Sequence, residues 1–237
     1  MIGSLPPELL AVIERSSAAE LVTVDGAGQP VAWPVSPGLR AGEGCIDVRP
    51  EGGVADADAD AHVALLFSHP EGVGLPRPAM VLIQGTARVS ESGVRVRPER
   101  LLAWPAGDLD AEPELFDAHI EEVRSAHNEE PETGHAPAEG GPEAWDERLD
   151  ALGAGVLAFV GPDGFPFAVR VPVRPDRDAA LLRIEADPVG APIEPGPACL
   201  CAGTVRVRGD LDELAGRWVL RPHRTAAVHL RTSADAL

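Results

Sequence analysis

Two arginines alternate with apolar residues along "VRVPVR", placing Arg170 and Arg174 on one side of a strand. A guanidinium pair so spaced could hold a phosphate or another anion. The plainer reading is the solvated face of an edge strand. Trp33, in "PVAWPV", offers either a stacking platform or a core side chain. His62 and Ser68 flank the apolar run "HVALLFS" and would lie at the rim of a sheet or barrel. Cys199 and Cys201 stand two residues apart, so in a strand both thiols face one side. Two thiolates can ligate metal, but no second cysteine pair accompanies them, which favours buried structural thiols. His119, His127 and His135 share an acidic stretch with Glu129, Glu130 and Glu132, an oxygen and imidazole set of the kind that metals accept. The Pro- and Gly-rich composition there points instead to solvated linker. There is no Ser-His-Asp order, no Gly-rich dinucleotide fingerprint and no HExxH.

Composition removes whole classes of chemistry. All 20 basic residues are arginine, so no lysine is present to form a pyridoxal phosphate Schiff base or to complete a P-loop. The absence of tyrosine removes phenolic acids. The formal net charge of −18 disfavours nucleic acid and anionic membrane as partners, because both repel an acidic surface. A hydrophobic fraction of 44% suits a globular protein, and no apolar run approaches the roughly 20 residues needed to span a bilayer. The N-terminus shows no basic region followed by an apolar core. The expectation is a cytoplasmic chain without a secretory signal.

The elements that must position these side chains read as two copies of one unit. "VDGAGQPVAWPV" (residues 24–35) and "VGPDGFPFAVRV" (residues 160–171) are hairpins that align Leu21 with Leu157, Ala32 with Ala168 and Val35 with Val171. Val81 to Gly85 matches Val205 to Gly209, and "VRPERLLAW" matches "LRPHRTAAV" through Arg-Pro-x-Arg. Each copy runs helix, hairpin, strand, strand, Gly-containing strand, final strand, and the second copy is shorter in its middle. The prediction is a mainly β protein with short helices, built of two tandem barrel units over residues 1–105 and 145–237. Between them, residues 106–144 are expected to hold an amphipathic helix at "PELFDAHIEEVRSA" and a Pro/Gly-rich connector centred on Pro131 to Gly141.

The turn-strand pairs "DGAGQPVAWPV" and "DGFPFAVRVPV", with "HVALLFSHP", "VLIQGTARV" and "VRVRGDL", resemble the FMN-binding split β-barrel of pyridoxamine 5'-phosphate oxidase-like proteins. "VRPERLLAWPAGD" followed by a second half is similar to actinobacterial proteins described in those terms. The resemblance spans nearly the whole chain outside the connector. It implies FMN at a barrel-barrel interface, usually in a homodimer; a tandem chain can build that interface internally or pair again. The oxidase's phosphate-holding arginine, three residues after the hairpin proline, corresponds to Trp33 and Val169, while Arg170 comes one residue late. The family's basic link after the third strand corresponds to "PEGGVADADADAH", which has no cation before His62. The cofactor residues implied are Arg170 and Arg174 for the phosphate, Trp33 for the ring, and His62 and Ser68 at the rim. Two expectations follow. One is an FMN-dependent oxidoreductase of unknown substrate. The other is a non-catalytic barrel without flavin that binds another small ligand, such as haem or deazaflavin, or only a partner.

Overall fold

The computed structural model describes residues 7–40, 45–50, 61–68, 80–90, 93–104, 112–117, 146–185, 190–203 and 205–227. It is mainly β, as the sequence predicts. A leading helix α1 (Pro7–Arg15) precedes β1 (Ala19–Val24), β2 (Pro30–Arg40), β3 (Cys45–Pro50), β4 (Ala61–Ser68), β5 (Met80–Ser90), β6 (Gly93–Trp104) and β7 (Glu114–Asp117). After a 3₁₀ helix (Glu147–Ala151) come β8 (Ala154–Val160), β9 (Pro166–Asp176), β10 (Leu181–Ile184), β11 (Gly196–Ala202), β12 (Val205–Leu214) and β13 (Arg217–Ala227).

The two halves share one topology. In the first, neighbours run β3-β2-β1-β4-β5-β6, and β3 pairs with β6 to close the ring. In the second, β10-β9-β8-β11-β12-β13 closes through β10 and β13. Register repeats as well. Leu21 opposes Trp33 and Leu65, and Leu157 opposes Val169 and Leu200. Each Gly-containing strand slips by one residue at the same place. Gln84 pairs with Arg100 and Gly85 with Pro98; Arg208 pairs with Arg224 and Gly209 with Pro222. This is a bulge at Arg-Pro-x-Arg in both copies. It requires glycine, because a Cβ on Gly85 would lie 2.0 Å from the Arg97 carbonyl oxygen, and one on Gly209 would lie 2.0 Å from that of Arg221.

Alternation along the strands separates two apolar sets. Leu21, Val35, Ile46, Val63, Leu65, Val81 and Ile83 pack with Val12 and Ile13 of α1 into one buried cluster. Ser16 ends that helix, its backbone N–H and its hydroxyl both donating to the Val12 carbonyl. The intervening residues Val22, Ala32, Ala64, Leu66 and Leu82 face the other way. They join a second cluster with Ala158, Ala168, Cys199 and Cys201 of the other barrel. The barrels therefore meet through an apolar seam that mixes small side chains with large ones such as Leu66 and Leu82.

One element departs from expectation. Glu114 to Asp117, read from sequence as the start of an amphipathic helix, is a short strand paired with Arg100 to Ala103 of β6. β3 pairs with β6 only at Val94 to Val96, so the far end of β6 offers free backbone groups that a strand satisfies. Phe116 packs on the first core while Leu115 stays 63% exposed, an alternation that suits a strand. β7 is thereby the seventh strand of the first sheet. The remainder of that predicted helix, the connector Pro131 to Gly141, and His119, His127 and His135 lie outside the described residues.

Candidate functional site

The seam has an approximate two-fold character. β2 packs on β11 as β9 packs on β4, and β1 meets β9 as β8 meets β2. Each β-hairpin tip reaches the opposite barrel. The tips fold alike: the Asp25 N–H bonds the Gln29 carbonyl and the Gly28 N–H bonds Asp25, as Gly161 bonds Phe165 and Gly164 bonds Gly161. Gly28 (φ 76°) and Gly164 (φ 80°) take the left-handed position that each turn needs. The carboxylate has moved within the turn, yet each copy keeps one. Asp25 Oδ2 accepts from Arg208 Nη1 at 3.0 Å, and Asp163 Oδ2 accepts from Arg100. For Asp163, burial pushes the carboxyl pKa up, but the bonds from Arg100 and the Phe165 N–H outweigh it and leave it lowered.

Around these tips the expected site residues fall into separate groups. Arg170 and Ser68 come together: Arg170 Nε donates to Ser68 Oγ at 3.0 Å. The same guanidinium forms a 3.1 Å ion pair with Glu20, a residue of β1. Burial raises the Glu20 carboxyl above its ordinary value, with Arg170 and Ser68 opposing that shift. His62 lies elsewhere, stacked on Phe165 at 4.1 Å and 12° between planes. Arg100 covers the same ring at 4.7 Å. The fully buried Gln84 accepts from Arg100 Nε at 2.5 Å and donates 2.7 Å to the Pro166 carbonyl across the seam. Trp33 forms a third group. Its indole N–H donates to Thr23 Oγ1 at 3.2 Å, and the Arg206 guanidinium carbon lies 4.1 Å from its ring centroid. Arg174 belongs to none of these; it is 66% exposed, pairs with Glu185 at 3.2 Å and lines a shallow pocket with Asp176 and Arg177.

Cys199 and Cys201 are buried in the seam, with the Cys199 thiol against the Ala32 backbone. Burial raises both thiols, Cys201 to about 11, so both remain protonated at neutral pH. No cluster of three or more metal-ligating side chains occurs among the described residues. No helix there is long and apolar enough to cross a membrane.

Glu20, Arg100, Phe165 and Arg206 were not singled out by sequence. Glu20 left a trace, a carboxylate within the apolar strand "AELVTV"; Arg206 left another in the alternation of "TVRVRG". The Arg170 guanidinium, expected to hold a phosphate, pairs here with the Glu20 carboxylate of the opposite barrel. Compared with known proteins, the sequence matches no protein-family model and no curated protein.

Proposed function

We propose that this chain is a tandem split-barrel protein, of the pyridoxamine 5'-phosphate oxidase-like kind in architecture, that holds a small organic ligand at the seam without flavin chemistry. The Glu20–Arg170–Ser68 contact carries this reading. It commits the cation best placed for a flavin phosphate to a carboxylate of the opposite barrel. His62 and Arg100 against the Phe165 ring, and Arg206 on Trp33, likewise give these aromatic rings protein partners at the seam.

A second reading, an FMN-dependent oxidoreductase, draws on the seam itself, an internal version of the interface where the resembling flavoproteins hold their cofactor. Flavin would supply the hydride chemistry there and the protein its binding and shielding. One pair of measurements separates the two. The absorption spectrum of the purified protein should show no flavin or haem band, and FMN titrated into wild type should not bind. Tight FMN binding that weakens about 10- to 150-fold in Arg170→Ala would establish the second reading instead. In either reading the seam needs no second chain, though a homodimer of the tandem chain remains compatible with it.

A further inference from the structure

Arg206 stands on β12 two residues before Arg208 and stacks on Trp33 at 4.1 Å. Its Nε and Nη2 are both closed to solvent, and neither has a hydrogen-bond partner. Among the described residues no other buried side-chain nitrogen or oxygen is left so. These two nitrogens form the side-on edge of the guanidinium, two parallel N–H donors spaced for the two oxygens of a carboxylate or phosphate. Leaving charged donors buried and unmade is costly, so the edge calls for an acceptor.

The groups around it offer none. Arg208 already holds Asp25, and Arg170 already holds Glu20. Cys199 and Cys201, the nearby thiols, are protonated and neutral. Trp33 lies over one face of the guanidinium and does not satisfy its in-plane edge. We infer that Arg206 is an oxoanion-binding residue that takes the carboxylate or phosphate group of a small ligand at the seam, beside Trp33. The inference deepens the proposal of a seam ligand and rests on it, but assigns the anionic group to Arg206 rather than Arg170. Because both nitrogens are closed to solvent, binding there requires a local opening of the seam.

The test uses the full chain with inorganic phosphate and with acetate as probes, against chloride at equal ionic strength. One of the two anions should raise the wild-type melting temperature in a dose-dependent way through linkage, and which one does so identifies the group. Arg206→Lys keeps the charge but loses the fork, and Arg206→Met loses both; each should weaken the anion response about tenfold or more. In chloride Arg206→Met should be no less stable than wild type, since it removes an unsatisfied buried charge. A purely structural Arg206–Trp33 stack would give the reverse pattern, a destabilised variant and no anion response. As a readout free of mutation, the effective anion should slow hydrogen exchange in β2 and β12 of wild type. No response to either anion, or an equal response in both variants, overturns the inference and leaves the edge to water. The broader proposal fails separately, if denaturing extraction of the purified protein releases no small molecule and a small-molecule library shows no binding to the full chain.

Discussion

Glu20 is a carboxylate whose titration is set by its burial. The folded protein holds its proton more tightly than the unfolded chain, since burial raises the carboxyl above 4.5 against the pull of Arg170. The stability it contributes is therefore fully present below 4.5 and fades as pH rises through the raised folded value. Glu20→Gln abolishes that titration while keeping an acceptor for Arg170 and Ser68. In urea melts across this range, the stability of wild type relative to the variant should fall as pH rises, then level off. A difference that grows with pH would mean that the ion pair outweighs burial. Gly85 and Gly209 make a sharper residue-scale case. Either Gly→Ala change drives a Cβ into a backbone carbonyl, and each should cost about 1–3 kcal/mol or more in denaturant titration. The two costs should agree, because the bulges are equivalent; a tolerated change at one would show that they are not.

The hairpins were legible in sequence because turn chemistry is local: Asp25-Gly-Ala-Gly28 and Gly161-Pro-Asp-Gly164 specify their own geometry. The repeat was legible for the same reason, through the bulge glycine and Arg-Pro-x-Arg. The seam was not. Arg170 meets Glu20 from 150 positions away and Arg208 meets Asp25 from 183, and no periodicity encodes such pairs. β7 was missed because "ELFD" fits a helix or a strand equally, and only the unpaired end of β6 decides. Asp25 tests how far the tips bind the opposite barrel. Its Oδ1 accepts from the Ala27 and Gln29 N–H groups while Oδ2 takes Arg208. Asp25→Asn keeps the turn acceptor and loses the charge. A double-mutant cycle with Arg208→Gln should give a coupling of about 0.5–1 kcal/mol, as befits a partly buried pair. Asp25→Ala also strips the turn and should cost about 1–2 kcal/mol more. Zero coupling would place the hairpin tip free of the second barrel.

At the scale of the whole molecule, the chain resembles a dimer joined end to end, and its two barrels share one buried cluster. Val22, Ala32, Ala64, Leu66 and Trp104 of the first are continuous with Phe167, Leu157 and Cys199 of the second, and Trp104 meets Phe167 edge-on at 6.0 Å. Neither barrel keeps that face dry alone, so separating them exposes apolar surface that folding had removed from water. The barrels should then unfold as one cooperative unit. Scanning calorimetry should return a calorimetric enthalpy equal to the van 't Hoff value, where independent barrels would give about twice it. Leu66→Ala, at a fully buried seam position, should cost about 2–5 kcal/mol and lower the transition without dividing it. Two resolved transitions in wild type would mean that the seam is too weak to couple the halves. A transition that divides only in Leu66→Ala would locate the coupling in this apolar face rather than in the ion pairs at its edges.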